Sequence, residues 1–488
     1  MNKGGVIIKK IIVLFSILLS GFIFGCIAET TSGVTTVIPT TVTSVIPVTP
    51  SPTTTTTEQV TTEPFIYDPL VVPAAVLEEE RLSFKFFWEA VNGNPDSSGY
   101  GMITDRYNVD TNQVGAASIA SIGFGLASLL AGVENDWIDY EEAYDRALGT
   151  LETMSGLSRT HGFYYHFLNM QNGGREGYTE VSIIDTALFI AGAITAGEYF
   201  GGQVKEVATF LAESIEWDWY YNWDRMCFYM GYSPESGFAG YWEGYAEQML
   251  MYVLAAGSTD YSVGKEAYDH MKTLSQKRSY GTSDLFYTTH AGTLFTYQFS
   301  HAFVDFREIV DEDGVDWFEN SVQASIAAYD YAVAASQSYA TLSDVAWGLT
   351  ASDGPDGYKG NYGNLPSLGG NYIDGTLAPC GAIGSIVFTP ELVIPAIENY
   401  ASIPALQSKY GFRDAYNLGL TESALPTVRR PNAAIPDGGW FNDWVIGIDK
   451  GITVLMIENY RSDLIWHYFM QNEFVQKGLS ELGFTAKP

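Results

Sequence analysis

The stretch Gly240-Tyr-Trp-Glu-Gly-Tyr-Ala-Glu247-Gln-Met-Leu-Met-Tyr-Val-Leu-Ala-Ala-Gly257 limits what this chain can fold into more than any other. Its apolar residues keep a helical period, which predicts a helix over 242–256. With Glu247 as position i, Leu250, Met251 and Leu254 fall at i+3, i+4 and i+7, on one face. Met249, Tyr252, Val253 and Ala256 make the opposite face apolar too. A helix apolar all round is buried on both sides. Glu247 then stands where a core side chain belongs. A carboxylate there must be paired, protonated or lining a cavity, because an isolated buried charge is too costly. Burial also raises its pKa, as a general acid near neutral pH requires. A structural glutamate bonded to a Tyr or Arg of the next helix satisfies the same pattern, and this helix alone does not choose between the two.

The same period recurs along the chain. It predicts helices over 81–91, 116–133, 140–154, 181–200, 204–214, 263–274, 295–310, 317–336, 390–400 and 451–470. Segments apolar all round, such as 181–200, alternate with amphipathic ones, such as 140–154 and 263–274. Inner and outer rings of helices are the expected architecture. About 420 residues shared among about twelve helices is the spacing of a six-hairpin (α/α)6 toroid, an all-α fold. Gly-, Asn- and aromatic-rich loops at 92–110, 162–179, 221–240 and 353–375 interrupt the helices. Loops this long in a compact domain usually build a site.

Three segments are expected. In residues 1–28, Lys3, Lys9 and Lys10 precede an apolar run ending at Gly25-Cys26, the pattern of an export leader. Ile23-Phe24-Gly25-Cys26 resembles a lipoprotein processing box, with Cys26 the lipidation candidate and an uncleaved anchor the alternative. Residues 29–66 are rich in Thr, Val, Pro and Ser, with an unbroken Thr53–Thr57 run, and read as a stalk. Residues 67–488 form the globular domain. It is expected to be a monomer working at the cell surface, tied to the membrane by lipid or anchor.

The net charge of −32 repels nucleic acid and anionic membrane. The 32 tyrosines combined with many carboxylates lean towards a sugar site, with ring faces for pyranose C–H surfaces and carboxylates for hydroxyls. Six scattered histidines, with His161 and His166 five apart, do not make a zinc site. Asp311-Glu-Asp-Gly-Val-Asp316 matches part of a calcium loop but lacks the terminal Glu spacing, and reads as a polar turn. No metal or cofactor is expected. Cys227 and Cys380 are left to pair or stay free.

Acidic residues recur where apolar helices begin. Asp185 follows Ser182 at capping-box spacing, and Asp449 in Gly447-Ile-Asp449-Lys-Gly451 reads as a helix cap. Asp305 and Arg307 fit an ion pair, and Asp105-Arg106 a loop contact. Each has a structural explanation by itself; the set matters more. Hydrolysis of a glycosidic bond needs two carboxyls, one to protonate the leaving oxygen and one to activate water or attack.

The chain resembles the glucoamylase-like glycoside hydrolases, the group that includes the bacterial endo-β-1,2-glucanases. The resemblance runs through Thr104-Asp-Arg106, Ile122-Gly-Phe-Gly-Leu126, His161-Gly-Phe-Tyr-Tyr-His-Phe167 and Ile184-Asp-Thr-Ala-Leu188. It continues through Tyr245-Ala-Glu247, His301 to Arg307, Trp347 to Asp353, Gly447-Ile-Asp449 and Met456-Ile-Glu-Asn-Tyr-Arg461. It implies the (α/α)6 toroid with the site in its central cleft. It implies Glu247 as the general acid, Asp449 as the base, and Asp185 as a further acidic group of the cleft, acting with inversion on an oligo- or polysaccharide. Asp105, Arg106, Glu180, Trp242, Tyr245, Asp305, Arg307, Asp353 and Glu458 are the candidate substrate contacts. Ala246 stands where the family often has Asn, and Arg175–Glu180 replaces an Asp/Gly-rich stretch. The resemblance therefore implies the hydrolase class, with the β-1,2-linkage one candidate. A surface-anchored sugar-binding lipoprotein without turnover, a helical scaffold and a phosphorolytic relative are the alternatives. They differ in whether reducing ends appear, whether a cleft exists and whether phosphate is required.

Overall fold

The computed structural model describes residues 65–420 and 438–488. The leader, nearly all of the stalk and Cys26 lie outside the described residues. Residues Phe65–Pro488 make one compact unit. Its α-helices in chain order are α1 (Ala74–Glu89), α2 (Ile119–Glu134), α3 (Tyr140–Gly156), α4 (Ile183–Phe200), α5 (Gly202–Glu213), α6 (Met249–Gly257) and α7 (Lys265–Leu274). After these come α8 (Trp317–Ala335), α9 (Pro379–Ile383), α10 (Pro390–Ala401), α11 (Gly447–Ser462), α12 (Leu464–Met470) and α13 (Glu473–Glu481).

Apolar periodicity decides which helices lie inside. In α2 every residue from Ile119 to Gly132 is buried, and α6 is buried throughout. The amphipathic α3, α5 and α7 bury one face each and carry charge on the other. Packing follows that division: α2 lies against α4 and α11, α4 also contacts α6, and α3 and α5 pack together outside them. α4 is long and apolar enough to cross a membrane by composition, yet 78% of it is buried inside this unit, as a core helix is. The α2–α4 approach is close because two glycines meet. A Cβ on Gly192 would lie 1.9 Å from the Gly123 carbonyl oxygen.

Several expected helices differ from those observed. The predicted 242–256 helix begins at Met249. Gly244 adopts φ +77°, a conformation no L-residue helix continues through. Ser300 then takes over the bonding: its hydroxyl accepts from the Leu250 N–H (3.0 Å) and donates to the Glu247 carbonyl (2.7 Å). The predicted 295–310 helix is two 3-10 turns, Leu294–Tyr297 and Phe299–Ala302. The predicted 451–470 helix is split into α11 and α12 at Asp463, whose φ of +63° ends the first. Little strand was expected; the 221–240 loop folds into a hairpin of Cys227–Ser233 with Gly237–Tyr241. The calcium-like loop is a polar turn. The Lys272 ammonium donates to Asp311 Oδ2 (2.8 Å) and Asp313 Oδ2 (2.6 Å), so a cation already sits among these carboxylates. Cys227 and Cys380 are both free and buried.

Candidate active site

Short strands run straight into the inner helices and aim their first turns at one region. Ala117–Ser118 precedes α2, Val181–Ser182 precedes α4, and Trp444–Ile446 precedes α11. The third helical residue is Ser121 in α2, Asp185 in α4 and Asp449 in α11. Arg106–Asn108 pairs with Trp444–Ile446, which brings Asp105 and Arg106 beside the start of α11. The Gly447 N–H donates to the Asp105 carbonyl at 2.6 Å. Helix N-termini favour negative charge, so carboxylates at third positions are well placed electrostatically.

Asp185 fulfils its capping role and a second one. The Ser182 hydroxyl accepts from the Asp185 N–H (3.3 Å) and donates to Asp185 Oδ2 (2.5 Å). Its other oxygen, Oδ1, lies 3.5 Å from His166 Nε2. His166 Nδ1 is 2.8 Å from Glu180 Oε1, so this imidazole joins two carboxylates. Burial works to lower the His166 pKa, but Asp185, Glu180 and Asp105 push it up to about 9. The imidazole is therefore charged at neutral pH. Burial works to raise Glu180, but its hydrogen bond and attraction to His166 bring it down to about 2. Asp185 is raised by burial, with His166 and Ser182 opposing.

Glu247 stands in the turn before α6, not on the helix face that periodicity predicted. It is half-buried. Burial, with Asp185 nearby, pushes its pKa up to about 8. It carries its proton at neutral pH.

Asp449 is not a helix cap; it lies inside the first turn of α11, whose cap position is Ile446. Burial raises its pKa, and hydrogen bonds from Asp414 and Cys380 and the charge of Lys450 pull it back. Around Asp449 stands a buried frame. The Arg106 guanidinium donates to Asp105 Oδ2 (2.9 Å) through Nε and to Asp353 Oδ2 (3.1 Å) through Nη1. The Asn442 amide donates at 3.2 Å to both Asp353 Oδ2 and Asp414 Oδ2. Beyond Asp449 a small pocket lined by Glu79, Cys380, Asp414 and Lys450 has about 10 Å³ of space for a water centre, room for one water.

The structure thus gathers Glu247, Asp185, Glu180, Asp105 and Asp449, linked by mutual electrostatic influence. Arg106 and Asp353 belong to the frame; Asp353 is fully buried and holds Arg106 rather than facing ligand. Four candidate contacts sit elsewhere, each claimed by packing. Glu458 is fully buried and accepts from Tyr67 and Asn135, with Arg461 3.3 Å away. At about 1.5 Å per residue it lies more than a dozen ångström along α11 from Asp449. Asp305 and Arg307 pair with each other (2.7 Å), and Arg307 with Asp463 (2.9 Å) beyond the far end of α11. Tyr245 stacks on Trp317, with ring centroids 4.7 Å apart, in the core. Trp242, the remaining aromatic candidate, is 8% exposed. Sequence reasoning missed His166 as a site residue, noting it only against zinc, and missed Asp414 and Asn442. The 162–179 loop was the available signal for His166; a lone Asp in an irregular segment gives none for Asp414.

The family model described as Glycoamylase matches residues 240–473, a span that includes Glu247, Asp353, Asp414 and Asp449. The exo beta-1,2-glucooligosaccharide sophorohydrolase (non-reducing end) of Parabacteroides distasonis is 26% identical over 442 residues, 83% of this chain. This chain is similar to the glucoamylase-like proteins over residues 240–473. It spans 57% of that curated relative's length. It is also similar in structure to the endo-beta-1,2-glucanase of Chitinophaga pinensis, with a TM-score of 0.74 and 25% identity over 86% of this chain and 99% of the other. The endo-beta-1,2-glucanase of Talaromyces funiculosus shares the fold at a TM-score of 0.60 and 15% identity, covering 83% and 89%.

Proposed function

We propose that this chain hydrolyses β-1,2-linked glucans with inversion at the anomeric carbon, Glu247 acting as acid and Asp449 as base. The observation that carries the reading is Glu247, its pKa pushed up to about 8 by burial and by Asp185, grouped with an α11 carboxylate. Glu247 passes its proton to the leaving glycosidic oxygen. Asp449 takes a proton from the water whose oxygen attacks the anomeric carbon. Asp185, Glu180 and Asp105, held by His166 and Arg106, accept hydrogen bonds from sugar hydroxyls. The β-1,2 linkage is favoured by the activities of the similar sophorohydrolase and Chitinophaga glucanase. The helices complete an (α/α)6 toroid, and the leader and stalk hold a monomeric domain at the outer cell surface.

A glycan panel tests the reading. The full-length protein, extracted in detergent, is incubated with β-1,2-, β-1,3-, β-1,4- and α-1,4-glucans and the products are sized. Reducing ends from the β-1,2-glucan, released first as the α-anomer in NMR, are expected. Binding without cleavage of any glucan, or release of the β-anomer, rejects it.

A further inference from the structure

The geometry points to Asp414 as a positioning residue: it holds a proton and donates it as a hydrogen bond to Asp449. This rests on the reading of Asp449 as the base. Asp414 is 4% exposed and Asp449 8%. The two carboxyls are in hydrogen-bonding contact. Asp414 Oδ2 is already occupied, accepting from the Asp353 N–H (2.9 Å) and the Asn442 amide (3.2 Å). Asp414 Oδ1 and Asp449 Oδ2 are left as buried oxygens without a donor. Two touching, buried, acceptor-only carboxylates cannot both stay ionised. One proton between them supplies the missing donor and removes the repulsion.

The surroundings decide which carboxyl holds it. Asp449 receives the Cys380 thiol and the field of Lys450, and both favour its ionised form. Lys450 is shared, since its ammonium donates to Glu79 Oε1 at 2.9 Å. Asp105 opposes Asp449's charge from the strand side. Asp414 faces Asp353 and Asp449, both of which raise its pKa on top of burial. The Arg106 guanidinium is hydrogen-bonded to Asp105 and Asp353 and reaches Asp414 only through its field. The Tyr358 hydroxyl, near both carboxyls, has its own pKa raised well above the usual tyrosine range and brings no charge, although the residue is 46% exposed. The proton therefore rests on Asp414, and Asp449 stays ionised and pinned in one orientation. As a coupled pair they titrate in two steps, and the apparent pKa values belong to the pair and not to either residue.

Two substitutions and one spectrum test this. An Asn at 414 keeps an acceptor for Asp353 and Asn442 and keeps a neutral N–H donor for Asp449; an Ala keeps neither. Asp414→Asn is expected to lose less than about tenfold in kcat, the worth of one net hydrogen bond. Asp414→Ala is expected to lose about 10²-fold with KM little changed, as misplacement of a reacting group does. The acidic limb of its pH–rate profile should move up, because Asp449 has lost a donor to its ionised form. If Asp414→Asn folds and falls as far as Asp414→Ala, or if neither variant moves the acidic limb, Asp414 is an ordinary acceptor and the inference is overturned. Should the Ala variant fail to fold, the Asn variant alone decides. Infrared difference spectra of the full-length wild type minus Asp414→Asn add a readout independent of turnover. A protonated-carboxyl C=O band at pH 7, lost in the variant, is expected; its absence overturns the proton placement. If the band is present but Asp449→Asn retains full turnover, the proton placement stands and the assignment of Asp449 as base falls.

Discussion

The proposed acid of this site is set by its surroundings, not by its side-chain type. Glu247 has an ordinary carboxyl, and burial beside Asp185 brings its pKa up to about 8. Glu247→Gln should cut turnover by roughly 10²–10⁴-fold with the fold intact, the usual share of general acid catalysis. A near-normal rate on a glucan that the wild type cleaves would make Glu247 structural. Since the acid must be protonated, wild-type kcat should fall as pH rises through about 8. The same shift has a stability sign. Above an ordinary pKa of 4.5 the unfolded chain releases this proton while the folded chain keeps it, so stability falls from there up to about pH 8. Melting curves across that window should fall more steeply for wild type than for Glu247→Gln; parallel curves would refute the raised pKa. His166 runs on a different pH range. Its folded pKa of about 9 lies above the ordinary 6.5, so its contribution is full below 6.5 and lost as pH rises through about 9. An NMR titration should place its imidazole resonance near 9, and a midpoint near 6.5 would dissolve the proposed link among Asp185, His166 and Glu180.

At the scale of elements, the site depends on how closely the inner helices approach. α2 and α4 meet at Gly123 and Gly192, where a methyl on Gly192 would overlap the Gly123 carbonyl oxygen. Gly192→Ala must push the two helices apart. Overpacking of this kind typically costs about 1–3 kcal/mol. Because Asp185 rides on α4, turnover should fall along with the urea midpoint. A variant of unchanged stability would mean that the helices separate without strain. Element boundaries were the least legible part of the sequence. Periodicity located the α6 segment, but Gly244 and Ser300 decided where the helix starts, and Ser300 lies some fifty residues away. That choice took Glu247 off the helix face and placed it in the turn.

For the whole molecule, the N-terminal segment of the unit is clamped to its core by buried charge. Leu70 N–H donates to the Arg461 carbonyl (2.7 Å), and the Tyr67 hydroxyl donates to Glu458 (3.1 Å). The Arg461 guanidinium lies between Glu80 (2.8 Å) and Glu458 (3.3 Å), all three nearly or fully buried. A single cation thus faces two carboxyls, and burial with the charge of Glu458 raises Glu80 well above the usual carboxylate range. Arg461→Leu strands both acids and should destabilise by about 3–5 kcal/mol, as breaking a buried pair does. A urea midpoint close to wild type would show that protonation of the two glutamates absorbs the loss. Glu458 was expected among the substrate contacts because it lies in the Met456–Arg461 stretch that carries the resemblance, and a ligand-binding and a clamping glutamate satisfy that pattern equally.

The division between inner and outer helices was set by the sequence, because burial all round or on one side writes itself into the spacing of apolar residues; helix extent was not, since the expected 295–310 helix is two 3-10 turns. The recurrence of acids at the starts of inner helices was legible for the same reason: Asp185 and Asp449 stand at the third position of apolar runs. Tertiary structure decided which of these acids meet. Asp449 touches Asp414, thirty-five positions earlier in the chain, through a loop with no periodicity of its own. His166 reaches Asp185 from another loop, and Glu458 and Arg307 are drawn away by partners at the far end of α11. Protonation depends on desolvation and on charges a few ångström away, and those distances exist only once the chain has folded.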